Sequence, residues 1–306
     1  KHNNIKVFIL NNPINPTGKV YTKSELESLA DVLKNYDVLV ISDEVFQDII
    51  LKKDINFCSL AAIPSMIDQC VVVNGVSKSR CLAGIRVSFS YVPHEIKRLL
   101  PLNLCGLSKP ELKVANEALK LNEENTLFLT NNNNKYMSNV LFIRKQLFIF
   151  NGLLSKLFGC QADYISIFSE IPSSTNVILL DFSKLKEKVF LNGVCIDTSL
   201  KMSELILSEK GIALAPGEAF FFDGSLMLIR IPLSHEKFLY KEIINDIFSL
   251  VVNHSPEIRM LKDHLDMEKI FKFNSDHFHE TRPCSFFSTK NLQTRELVEN
   301  RHEHYL

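Results

Sequence analysis

Short apolar runs separated by polar, turn-forming segments dominate the first hundred residues. Val7-Phe8-Ile9-Leu10, Val38-Leu39-Val40-Ile41 and Val71-Val72-Val73 are unbroken rather than alternating, the pattern of strands buried on both faces. Between the first two, Leu26, Leu29, Val32 and Leu33 recur at helical spacing behind Thr22, which predicts a helix over Lys23 to Asn35. Strand, helix, strand in that order implies a parallel sheet, with strands expected near Lys6 to Leu10, Val38 to Ile41, Cys70 to Gly75 and Ile85 to Val92. Short helices are expected at Pro93 to Leu100 and Pro110 to Leu121, and a longer one from about Tyr136 to Leu157. The run Asn131-Asn132-Asn133-Asn134 precedes that helix. Asparagine is a poor helix former, so the run is expected to be a loop or low-complexity insertion rather than a site. Further on, Asn176 to Asp181 and Leu226 to Pro232 pattern as strands, and Leu200 to Lys210 and Glu236 to Val251 as helices, a small α+β unit. Ile258, Leu261 and Leu265 fall at helical spacing and suit a docking helix.

Composition narrows the class. A length of 306 residues and 46% hydrophobic content suit about two domains with filled cores. Thirty-five basic residues balance thirty-five acidic ones, so nothing in the charge calls for nucleic acid or an anionic membrane as partner. No apolar run approaches the ~18 residues of a membrane-spanning helix. Seven cysteines, an odd number without CxxC spacing, suit a reducing, cytoplasmic compartment and argue against a metal site. The polar, histidine-rich stretch 254–306 carries Asp276-His277-Phe278-His279-Glu280 and His302-Glu303-His304, clusters common in solvated tails.

Chemistry concentrates at three of the expected strand ends. Asn12-Pro13-Ile14-Asn15-Pro16-Thr17-Gly18 follows the first apolar run, and its prolines impose a rigid, non-helical loop. Asp43, in Ser42-Asp43-Glu44-Val45-Phe46, ends the second. Lys78 follows the third, in Ser77-Lys78-Ser79-Arg80-Cys81-Leu82-Ala83-Gly84-Ile85-Arg86. A lysine at a strand end can form a Schiff base with an aldehyde cofactor, and a nearby arginine can hold a phosphate by paired hydrogen bonds. Ligand sites in open parallel sheets lie at the carboxyl ends of strands, so Asn15, Asp43 and Lys78 are expected to converge.

Together these segments resemble the class I/II aminotransferases, pyridoxal-phosphate enzymes of fold type I. The resemblance is carried by NPxNPTG at Asn12 to Gly18, SDEV at Ser42 to Val45 and SK-x5-G-x-R ending at Arg86. A fourth match is Gly211-Ile212-Ala213-Leu214-Ala215-Pro216-Gly217-Glu218-Ala219-Phe220 ahead of Leu228-Ile229-Arg230-Ile231. It implies an α/β fold: a partial large domain with a mostly parallel sheet over residues 1–125, then a linking helix and smaller α+β domain over 126–253. The tail, 254–306, is unmatched. It also implies a role for each residue. Lys78 holds pyridoxal 5'-phosphate as an internal aldimine and then moves a proton at the substrate α-carbon. Asp43 keeps the pyridine nitrogen protonated, Asn15 donates to the phenolic oxygen and contacts substrate, Arg86 clamps the phosphate, and Arg230 grips the substrate α-carboxylate. The implied activity is amino transfer between an α-amino acid and a 2-oxo acid by a two-stage ping-pong cycle, in a protein that is a homodimer when complete.

Departures from the family pattern are equally specific. Phe46 stands where a tyrosine commonly donates to the phenolic oxygen; its loss should raise the aldimine pKa and weaken cofactor binding by about 1–2 kcal/mol. Gly75 replaces a frequent phosphate-binding serine, Ser88 a small residue, and bulky Arg80 and Cys81 fill the turn after Lys78. The family's usual upstream region, with its cofactor-stacking aromatic and phosphate loop, has no counterpart before Asn12, so the chain is expected to be N-terminally incomplete. Two alternatives to amino transfer stay open: another pyridoxal-phosphate reaction such as decarboxylation, elimination or cyclisation, and a truncated, non-catalytic fragment.

Overall fold

The computed structural model describes residues 5–99, 106–169 and 171–261. Strand β1 (Val7–Asn11), helix α1 (Lys23–Leu33) and strands β2 (Leu39–Asp43), β3 (Cys70–Gly75) and β4 (Ser88–Tyr91) open the chain, and the strands form a sheet in the order β1-β2-β3-β4. β1, β2 and β3 run parallel, whereas β4 returns antiparallel to β3. The expected mostly parallel sheet is therefore present. Its fourth strand starts later than the hydrophobic pattern suggests, because Ala83–Ile85 form a single 3-10 turn and Arg86 takes a left-handed conformation before β4.

Helix α1 shows why these residues fold locally as they do. Thr22 caps it: the Thr22 hydroxyl accepts from the Glu25 amide at 3.2 Å while the Glu25 carboxylate accepts from the Thr22 amide at 2.8 Å, a reciprocal pair that satisfies two otherwise unpaired donors. Leu26, Ala30 and Leu33 then fall on one stripe and bury against Leu10 and Val40 of the sheet, with Leu60, Met66 and Cys70 completing the cluster. Val32 lies off that stripe and is exposed, contrary to its expected place on the buried face.

Two short helices, α2 (His94–Lys97) and α3 (Lys109–Leu119), lead into the long helix α4 (Glu123–Phe158). Here the sequence expectation fails: Asn131 to Asn134 are helical, inside α4 rather than in a loop before it. Asn122 caps the helix by accepting from the Asn125 amide at 2.9 Å, and Glu123 and Glu124 favour its first turn. The asparagines cost a few tenths of a kcal/mol each in propensity. Tertiary hydrogen bonds offset this, with Asn133 donating to the Asp48 carbonyl at 3.0 Å and Asn139 to the Leu233 and His235 carbonyls at 2.9 Å each.

The remainder comprises β5 (Ser166–Ile167), β6 (Val177–Asp181), β7 (Phe190–Leu191), β8 (Val194–Cys195), α5 (Ser199–Lys210), β9 (Ala215–Pro216), β10 (Leu228–Pro232), α6 (Lys237–His254) and α7 (Pro256–Leu261). A second sheet has the order β5-β6-β10-β9 and is antiparallel throughout. Against it, Phe150 of α4 stacks on Phe248 of α6 with centroids 4.8 Å apart. No helix among the described residues is long and apolar enough to cross a membrane. Leu265 and both histidine clusters of the tail lie outside the described residues.

One junction fixes the loop after β1. Gly18 adopts φ +73°, and its carbonyl accepts from the amides of Ser173 and Ser174 at 3.1 and 3.0 Å. A Cβ at Gly18 would stand 2.5 Å from Pro172 Cβ and 2.6 Å from the Ser174 carbonyl oxygen. Ser174 in turn donates to the Ile49 carbonyl and pairs with Ile50, so the loop after β1 and the segment after β2 share one clasp. Replacing Gly18 with alanine combines left-handed strain with a backbone clash, and chemical denaturation should show a loss of about 2–4 kcal/mol.

Candidate functional site

The parallel register brings the chemistry-bearing strand ends into line. Asn11 is opposite Asp43, and Asp43 is opposite Val73. The alignment continues past the strands, with the Asn12 amide donating to the Asp43 carbonyl at 3.0 Å and the Glu44 amide to the Val73 carbonyl at 2.9 Å. Three loops thus leave one sheet edge together, carrying Asn15, Asp43 to Phe46, and Lys78.

Asn12, rather than Asn15, holds the first loop. Its buried amide accepts from the Tyr21 amide and donates to the Cys58 carbonyl, each at 3.1 Å. Asn15 is held differently: its Oδ1 is buried without a hydrogen-bond partner among the described residues. Asp43 accepts from the Val45 amide through Oδ1 at 3.2 Å. Lys78 is exposed, and its Nζ stands over the ring of buried Phe46, 5.9 Å from the centroid, the outer range of a cation–π contact. Phe46 therefore faces the lysine from the position where the sequence pattern led us to look for a tyrosine.

The two arginines are held by other segments. Arg86 caps the 3-10 turn in a left-handed conformation, and its Nη1 donates to the Ala83 carbonyl at 3.0 Å, leaving the exposed guanidinium with other donors. Arg230 belongs to the second sheet, where its guanidinium carbon stands 4.5 Å from the Phe220 ring centroid. Burial lowers the Arg230 pKa from its ordinary value. Among the described residues, no hydrogen bond or ion pair joins Arg230 to Asn15, Asp43, Lys78 or Arg86. Gly75 also gains a physical explanation: a Cβ there would lie 3.0 Å from the Val87 carbonyl oxygen, so β4 leaves little room for a serine.

Two groups escaped the sequence reading. Glu44 is buried, 1% exposed, and its Oε1 accepts from the hydroxyls of Ser42 and Ser59 at 2.8 and 2.7 Å. Burial raises its pKa above the ordinary value, outweighing the opposing pull of the two hydroxyls. The Arg80 side chain is largely buried as well, paired with Asp48 at 3.4 Å. A charged residue directly after a strand carries little signal by itself, because only the fold shows which way it points.

The sequence model described as "Aminotransferase class I and II" matches residues 1–245. The chain belongs to the class I and II aminotransferase family. Members of this family use pyridoxal 5'-phosphate. The aspartate aminotransferase of Pyrococcus abyssi is 29% identical over 70% of this chain and 49% of its own length. The aspartate/prephenate aminotransferase of Cereibacter sphaeroides is 28% identical over 70% of this chain and 51% of its own. The chain thus spans about half the length of these aminotransferases. The crystal structure of the aromatic aminotransferase from Pyrococcus horikoshii OT3 superposes with a TM-score of 0.60 at 25% identity, covering 84% of this chain and 60% of that one. The fold is therefore that of the type I pyridoxal-phosphate aminotransferases.

The raised pKa of Glu44 has a defined consequence for this chain. The folded state holds the Glu44 proton to higher pH than the unfolded state, so this contribution to stability is fully present below the ordinary value of 4.5 and is lost as pH rises through the folded value. Glu44→Gln cannot ionise and keeps an acceptor for both serines. Urea unfolding should find the variant more stable than the parent at neutral pH, with the gap closing as pH falls toward 4.5; a gap independent of pH would contradict this assignment.

Proposed function

We propose that the protein is a pyridoxal-phosphate-dependent aminotransferase that moves an amino group between an α-amino acid and a 2-oxo acid. The observation that carries this reading is that Asn15, Asp43 and Lys78 stand at or just beyond the carboxyl ends of three adjacent parallel strands, in a chain of this family. The residues suit the cofactor on their own chemistry. Asn15 brings a half-buried side-chain amide whose Nδ2 can donate and whose buried Oδ1 is an unmet acceptor, and Asp43 a part-buried carboxylate with one oxygen already oriented by Val45. Lys78 brings an exposed amine, and Arg86 a guanidinium with donors beyond the one given to Ala83.

When bound, pyridoxal phosphate supplies an electron-withdrawing ring that stabilises negative charge at the substrate α-carbon. Asp43 would keep the ring nitrogen protonated, since a nearby carboxylate favours the charged form. Asn15 would donate to the phenolic oxygen through Nδ2 and contact substrate, while Arg86 would hold the phosphate through its planar fork. Lys78 would supply the amine that holds the cofactor's aldehyde and the base that takes and returns the proton at the substrate α-carbon. Arg230 receives the substrate α-carboxylate, an interaction strengthened by its partly buried setting. The same reading takes the complete protein to be a cytoplasmic homodimer, in keeping with the free thiols of Cys58, Cys70, Cys81, Cys160 and Cys195.

Incubation of the intact protein with cofactor, a panel of α-amino acids and a 2-oxo acid should yield the new amino acid corresponding to the oxo acid. Lys78→Ala should lower that rate by about 10²–10⁴-fold or more, and absence of any new amino acid from the parent would remove the reading. Phe46→Tyr restores a phenolic donor beside the proposed ring. Spectral titration should find its cofactor bound about 1 kcal/mol more tightly, with a lower transition pH for the cofactor band.

A further inference from the structure

Lys78 sits on a turn whose next residues point the other way. The Cys81 amide donates to the Lys78 carbonyl at 3.3 Å, closing the turn, and Ser79 is buried at 4% exposure. Arg80 leaves 8% of its side chain exposed and pairs through Nη2 with Asp48 Oδ2 at 3.4 Å, while its Nε and Nη1 are buried without partners among the described residues. Asp48 follows Phe46 on the segment after β2, and its carbonyl accepts from Asn133 of α4 at 3.0 Å. Cys81 reaches the same helix, with its Sγ 3.6 Å from the Tyr136 hydroxyl and 3.7 Å from Asn132 Nδ2. The residues flanking the exposed lysine therefore anchor its turn to two other elements, and the asparagine run that local propensity assigned to a loop supplies two of the contacts.

A buried cation with a long ion pair and two unmet donors is a costly choice for filling space, since an apolar side chain of similar size brings no desolvation penalty. What the pair adds over an apolar filler is direction: it ties Arg80 to one point, and with it the backbone two residues from Lys78. We infer that Arg80, through Asp48 and the Asn132–Asn133 turn of α4, is a positioning residue that sets where the Lys78 amine points. The inference rests on Lys78 being the residue that bonds the cofactor.

The intact protein and its Arg80→Met, Arg80→Lys and Asp48→Asn variants separate a positioning role from a merely structural one. Each is loaded with pyridoxal phosphate, total bound cofactor is measured after gel filtration, and borohydride followed by peptide mapping gives the rate at which label is fixed on Lys78. A melting temperature is recorded for each. Arg80→Met and Asp48→Asn should fix label at least about tenfold more slowly per bound cofactor, because a displacement of about an ångström is enough for such a loss. Arg80→Lys, which keeps a cation on the turn, should recover most of the rate. Folded Arg80→Met labelled at the parent's rate would overturn the inference even if it melts earlier. Should Arg80→Met fail to fold, Asp48→Asn is read in the same way, and failure of both to fold would make the pair a folding requirement and also overturn it. A parent protein with no label on Lys78 would instead remove the proposed function.

Discussion

The parallel pairing of β1, β2 and β3 is the constraint from which the rest of the candidate site follows. Parallel strands cannot be joined by a tight turn, so the chain leaves each strand at one edge and returns through α1 or through the longer connection between β2 and β3. Because the register sets Asn11, Asp43 and Val73 side by side, the loops beyond them start from one line. A one-residue slip would turn the side chains of a strand to the opposite face. The cluster of Leu10, Leu26, Ala30 and Val40 resists such a slip, since it would carry apolar groups out of the core.

Once the loops share an edge, buried polar contacts fix their shapes. Gly18 clasps the segment around Ser174, Asn12 spans from Tyr21 to Cys58, and Glu44 ties Ser42 to Ser59. Each contact lies beneath or beside a residue proposed to act, rather than at it. Exposed Lys78 is surrounded by more firmly held neighbours: buried Phe46 under its amine and, two residues on, Arg80 with its side chain largely buried. A reactive group needs an open approach and a fixed base, and this division of burial supplies both.

Much of this was legible in the sequence because it depends on local pattern. Unbroken apolar runs marked β1, β2 and β3 to within a residue or two, and Thr22 marked the start of α1. The motifs at Asn12, Ser42 and Ser77 were readable as strand-end loops for the same reason. Features that depend on distant partners were hidden. Asn133 finds its acceptor 85 positions away and Asn139 one 94 positions away, so local propensity alone misplaced the asparagine run. Glu44 reads as one more acidic residue until the fold buries it, and Gly75 as a missing serine until β4 occupies the space for a Cβ. Arg230 was visible as an arginine in an apolar strand, but its partner Phe220 becomes apparent only when β10 and the turn before it come together.

We propose Lys78 as the chemical centre of this end of the sheet. This role is tested most directly by borohydride reduction of the intact, cofactor-loaded protein followed by peptide mapping. A single stable pyridoxyl label should form, on the peptide containing Lys78 and on that lysine. A label on another lysine, or cofactor lost without any covalent trace, would contradict it.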